Sequence, residues 1–287
     1  MVMTDVKVIN EEFKELSSRV AVLAKEVIDT PDLIASSIRE KINITNPHLT
    51  DRPDPYMRAP HWDLLPDNII DDLKPGEMDP CGREYLDYQM DLMRRVREGK
   101  GPVDLKRDPG FRHAVSGFPN KELFTGVVNV EGKPDYPKNG LREAINELAY
   151  KFLGANSIAL AVFYPPNSYI PWHHNGNAPG YNMLMHYSWG GNGSFYAYDD
   201  GVVTDYPDKD REWSVRSGRF LNTGTCDERN KRVEDSYHRP MQTTPVVEDI
   251  EKASWHCAKS YNWRFTLSTI INYEDIWLDV IEELESD

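Results

Sequence analysis

Between residues 157 and 272 the chain breaks into short β-type runs separated by turn-forming residues, and this alternation constrains the fold more than any other feature. The runs span 157–164, 169–175, 181–189, 194–198, 213–221, 253–258 and 263–272, and they are rich in β-branched and aromatic side chains. Pro165-Pro166-Asn167, Pro179-Gly180, Gly190-Gly191-Asn192-Gly193 and Asp199-Asp200-Gly201 punctuate them. Glycine supplies the positive φ that tight turns need, and proline cannot donate to a sheet ladder, so each cluster stops a strand. Seven or eight strands packed into about 115 residues predict a jelly-roll or small barrel.

The first half reads differently. Phe13, Leu16, Val20, Leu23, Ala24 and Val27 fall at helical spacing over 11–28. Pro31 after Thr30 starts a short second helix, and further helices are expected over 84–100 and 141–153, the last stopped by Gly154. Prolines recur from 46 to 80, which predicts an extended loop or arm. The expected fold class is therefore α+β. A jelly-roll core fills residues 156–275, with an irregular charged insertion at 223–251 capping its mouth. A helical, proline-rich region of residues 1–155 packs around it, and residues 276–287 form a final acidic helix.

Composition removes several function classes. The formal net charge of -14 argues against broad nucleic-acid binding, which needs clustered cations to displace counterions. The densest basic pieces, Arg94-Arg95-Val96-Arg97 and Arg229-Asn230-Lys231-Arg232, read as solvated faces. No apolar run approaches the roughly 20 residues that span a bilayer. The first residues lack a basic-then-apolar leader, and three scattered cysteines do not make a disulfide framework, so a reducing cytoplasm is the expected setting.

Strand alternation places His173 and Asn175 on one face, with Trp172 and His174 on the other. In the last run Arg264, Thr266 and Ser268 share a face opposite Phe265, Leu267 and Ile271. A polar row in a β-rich, aromatic setting suits a barrel whose interior holds a small charged ligand. Arginine offers a planar fork that matches a carboxylate, and a hydroxyl two residues on supports the same oxygens.

The segment Trp172-His173-His174-Asn175-Gly176-Asn177-Ala178-Pro179-Gly180, followed by His256 and, eight residues later, Arg264, resembles the Fe(II)/2-oxoglutarate-dependent oxygenases. Within that superfamily it is most similar to phage-encoded members with a Trp-His-x-Asn segment. The resemblance covers residues 157–272 and implies a double-stranded β-helix core. It implies His173 and His256 as iron ligands with Asn175 at the position of the family's acid. Arg264, supported by Thr266, would anchor the far carboxylate of 2-oxoglutarate, and Tyr181 or Asn182 would hydrogen-bond the same cosubstrate. The expected chemistry uses Fe(II), 2-oxoglutarate and O2 to hydroxylate a C–H bond of a small-molecule or protein substrate, in a host-cell cytoplasm for a phage-encoded chain.

Asn175 carries no charge and compensates less of the metal's charge than an aspartate. Family members without the acid either place a halide there and halogenate, or still hydroxylate, and both outcomes stay open, as does a jelly-roll binding or virion-associated module without catalysis. The alternative register pairs His174 with Gly176; Trp-His-x-Asn favours His173. His186 and His238 are unassigned histidines, Cys257 is expected to face away from His256, and Trp172, Trp255 and Trp263 are expected to pack rather than stack a substrate.

Overall fold

The computed structural model describes residues 3–29, 79, 81–97, 123–124, 139–164, 168–174, 180–221 and 247–286. The expected second helix, the proline-rich arm, Asn175, His238, Arg229–Arg232 and most of the 223–251 insertion lie outside the described residues.

Helix α1 (Glu11–Asp29) buries Phe13, Ser17, Val20, Ala21, Ala24 and Val27, a 3–4 residue spacing that forms one stripe. Asn10 caps it, its Oδ1 accepting from the Phe13 amide at 2.9 Å, while Glu11 and Glu12 complement the positive end of the helix. Helix α2 (Arg83–Arg97) buries Tyr85, Leu86 and Met90. Helix α3 (Leu141–Asn146) runs on into a π turn (Glu147–Phe152), and Gly154, with φ of 57°, ends the expected helix in the left-handed region. Helix α4 (Glu274–Leu284) closes the chain, and its Leu284 carbonyl accepts from the Ile9 amide at 2.9 Å.

Among the described residues ten strands form two antiparallel sheets: β1 (Thr4–Asp5), β2 (Leu123–Phe124), β3 (Ser157–Tyr164), β4 (Ser168–His173), β5 (Gly180–Ser188), β6 (Gly193–Asp199), β7 (Val202–Pro207), β8 (Trp213–Phe220), β9 (His256–Ser260) and β10 (Arg264–Ile271). One sheet has the order β1-β8-β5-β10-β3-β2, the other β4-β9-β6-β7. The fold is thus α+β, with two sheets in the C-terminal half. Strand β7 went unpredicted because its sequence, Val-Val-Thr-Asp-Tyr-Pro, follows a short turn and ends in an acidic, proline-containing segment. The run expected over 253–258 is corrected: Ala253 follows a 3-10 turn (Ile250–Lys252), and the strand begins at His256.

Alternation along the six-stranded sheet sorts its two faces. Tyr181, Met183, Met185, Val215, Phe265, Leu267 and Ile271 face outward into one core with Phe13 and Val20 of α1, Ile145 of α3 and Leu284 of α4. Helices and strands therefore share that core. Trp213 Nε1 donates to the Ser17 carbonyl at 2.9 Å, pinning α1 to β8. The outer face of the four-stranded sheet packs Trp172, Tyr198 and Cys257 against Tyr85, Leu86 and Met90 of α2. The space between the sheets receives the remaining, more polar faces. Among the described residues no helix is long and apolar enough to cross a membrane.

Candidate metal and anion site

His173 ends β4 and His256 begins β9, and the two are direct partners in antiparallel register. A register shift between Ile170 and His173 interrupts the simple alternation of β4. Ile170 pairs with Ala258 and packs between the sheets, Trp172 packs outside, and His173 turns back inward to His256. The imidazole centroids of His173 and His256 lie 4.1 Å apart, and both residues are buried.

His256 is held from several sides. Its ring stacks on Phe220 at 4.9 Å and lies 5.6 Å from Phe195. Its Nδ1 lies 2.8 Å from the Ser254 carbonyl, an acceptor only, so Nδ1 carries the proton and Nε2 keeps its lone pair. Ser254 has φ of 29°, an uncommon conformation for a residue with a side chain. Its hydroxyl accepts from the Leu221 amide at 3.3 Å and donates to the Arg219 carbonyl at 3.2 Å, which locks that carbonyl toward the imidazole. Burial pushes the His256 pKa well below the usual imidazole value, and the neighbouring His173 adds to the shift. The neutral ring is the form that binds metal.

His174, the alternative first ligand, meets the edge of Trp255 at 4.9 Å in a T-shaped contact, whereas the His173 ring is the one that lies 4.1 Å from His256. The structure therefore brings His173, not His174, to the distal histidine. Cys257 faces away from the pair, as expected. Burial, then Cys81, pushes its thiol pKa well up, so it is a packing group.

The polar row of β10 is present and faces the interior. Arg264 Nε donates to Thr266 Oγ1 at 3.3 Å, and Thr266 Oγ1 shares a hydrogen bond with His186 Nδ1 at 3.0 Å. Arg264 is not a free fork, however. Its Nη1 pairs with Asp208 Oδ2 at 3.1 Å, both side chains 1% exposed, and also donates to the Lys259 carbonyl at 3.3 Å. Its guanidinium lies 4.9 Å over the Tyr164 ring.

Of the two further cosubstrate-binding candidates, Asn182 points inward and accepts from Ser268 Oγ at 3.0 Å. Tyr181, one residue earlier, is on the outer face, 4.7 Å from the Trp277 ring. Alternation forbids both from reaching one ligand between the sheets.

Three interior residues had no assigned role in the sequence. His186 sits beside Thr266 and Phe195, and its pKa is driven well down by burial, then by Arg264 and Arg216. Arg216 lies 5.7 Å over Phe195 and 5.1 Å over Tyr206. Asp208 follows β7 in a charged turn. The 213–221 run does alternate Ser214 and Arg216 against Trp213 and Val215, and that period marked Arg216 as inward; nothing in the sequence marked Asp208.

For an iron-type metal, His173 and His256 supply two imidazole donors of the right chemistry. Among the described residues no group of three or more His, Cys, Asp or Glu side chains is arranged to hold a metal ion. The third position expected from sequence, Asn175, is outside them. For a dicarboxylic cosubstrate the interior is cationic and polar enough, but Arg264 already holds a carboxylate. No protein-family model matches the chain, and no curated protein matches it.

Proposed function

We propose that the chain is a metal- and 2-oxoglutarate-dependent oxygenase that hydroxylates a C–H bond. The observation that carries this reading is the His173–His256 pair. Two buried imidazoles stand 4.1 Å apart across two paired strands, and the Ser254 carbonyl fixes the tautomer of one of them, leaving its lone pair on Nε2.

The strand order supports a jelly-roll. From β3 to β10 each successive strand switches sheet except β7, which pairs with β6, giving β8-β5-β10-β3 opposite β4-β9-β6-β7. In that arrangement His173, His256 and Arg264 stand at the end of the second strand and the starts of the seventh and eighth.

His173 and His256 would hold Fe(II), and the open positions would take 2-oxoglutarate and O2. When bound, that set supplies the oxidative decarboxylation that drives C–H oxidation. The protein's own part is orientation and exclusion of water. Phe195 and Phe220 wall one side of His256, and the Trp172–Trp255 layer closes the sheet behind it.

Anaerobic loading with Fe(II), followed by 2-oxoglutarate and O2, tests this. Oxygen-dependent succinate formation that disappears in His256→Ala is the expected result. Iron binding without succinate formation, or no iron binding at all, overturns it in favour of a binding module. Product analysis with and without chloride separates hydroxylation from halogenation.

A further inference from the structure

We propose that the interior holds a carboxylate-binding subsite centred on Arg216 of β8, with Ser214 and His186 as its neutral partners. Resting on the oxygenase reading, this subsite, and not Arg264, takes the far carboxylate of the cosubstrate.

Arg216 is 2% exposed; its Nε reaches Asp5 at 3.1 Å and its Nη2 donates to the Tyr206 carbonyl at 3.3 Å. Its Nη1 is buried without a hydrogen-bond partner among the described residues, as are Ser214 Oγ and His186 Nε2. Buried polar atoms are normally satisfied, and an unmade bond on a cation is the most costly kind. These three come from adjacent positions. Ser214 and Arg216 share the inward face of β8, and Ser214 is the direct cross-strand partner of His186 on β5.

Charge bears on the same N–H. Arg264 pairs with Asp208 Oδ2, equally buried, while Asp208 Oδ1 has no hydrogen-bond partner among the described residues and its charge also acts on Arg216. Arg216 pairs directly with Asp5, whose side chain is 69% exposed. Neither acid reaches Arg216 Nη1, and that uncommitted N–H is where a ligand carboxylate would be held.

Position links the subsite to the histidine pair. The Phe195 ring lies 5.6 Å from His256 and 5.7 Å from the Arg216 guanidinium, so one side chain separates the metal ligand from the anion donor. A short diacid bridges such a gap. Arg264 becomes a positioning residue: it fixes Thr266, and through it the tautomer and orientation of His186.

The test is titration calorimetry of 2-oxoglutarate and of succinate into the full-length protein, with and without Zn(II). Arg216→Met should weaken 2-oxoglutarate about tenfold or more, and Ser214→Ala several-fold, while Arg264→Lys should stay within about threefold of wild type. Ser214→Ala removes one hydroxyl and keeps the fold testable if Arg216→Met misfolds. Equal or greater loss in Arg264→Lys than in the Arg216 and Ser214 variants overturns the proposal, and so does absence of binding by either acid. Binding that depends on Arg216 without oxygen-dependent succinate formation leaves the subsite standing and sinks the oxygenase reading. Turnover indifferent to Arg216 and Ser214 does the reverse.

Discussion

Replacing Asp208 by asparagine leaves the turn after β7 almost unchanged in shape and removes one buried negative charge. The Arg264 guanidinium would then sit 1% exposed among the Ser194 and Lys259 carbonyls, Thr266 and the Tyr164 ring, with no anion against it. Removing one partner of a buried ion pair costs about 3–5 kcal/mol, because the other charge stays desolvated. For a chain of this size that lowers the melting temperature by on the order of 10 °C. Arg264→Met should cost a comparable amount for the mirror reason. The double variant Asp208→Asn/Arg264→Met, with neither charge buried, should recover most of the loss. Urea unfolding of the four proteins closes the cycle. If either single variant loses less than about 1 kcal/mol, the pair is solvated in solution, Arg264 is free to receive a ligand carboxylate, and the case for Arg216 as anchor collapses with it.

Four further outcomes follow from the same geometry. His186 has a folded-state pKa well below its unfolded value, so the unfolded chain takes the proton first as pH falls. Its contribution is intact above about pH 6.5 and is lost below it, with a slope of up to about 1.4 kcal/mol per pH unit that His186→Gln should remove in urea midpoints measured with a chelator present. A Cβ at Gly193 would run into Asp208 Oδ2 and stand 2.8 Å from the Lys259 carbonyl, so Gly193→Ala should destabilise by about 1–3 kcal/mol in the same assay. Phe220→Ala unpacks the His256 stack and should cost about 3–5 kcal/mol and weaken Zn(II) binding; unchanged metal affinity would show that the stack does not orient the imidazole. Cys81 and Cys257 are both buried, so peptide mass analysis after alkylation of the native protein should find them unmodified until denaturant is added.

The strand-rich half was legible because its signals are local. Runs 157–164, 213–221 and 263–272 reappear within a residue or two at each end, since β-branched and aromatic composition and Gly/Pro punctuation act over a few residues. Helix α1 was legible for the same reason, its stripe of Val20, Ala24 and Val27 being a periodicity within one element. What escaped was relational. Strand β7 is defined by pairing with β6 more than by its own mixed sequence, and β1 is two residues recruited by β8. The register shift in β4, between Ile170 and His173, leaves no trace in composition.

The site divides along the same line. The inward row Arg264–Thr266–Ser268 follows from period two alone, and the structure keeps it. Which anion meets that row does not follow, because Asp208 reaches Arg264 from 56 residues away through a turn of unremarkable acidic sequence. An arginine in a motif announces a need for negative charge without saying who supplies it. Here Asp208 meets Arg264 and Asp5 meets Arg216, yet one buried N–H of Arg216 has no hydrogen-bond partner among the described residues. The proposed subsite places an anion from solution at that N–H, and the short distance from the paired histidines across Phe195 is why the proposal takes a metal-chelating diacid as its ligand.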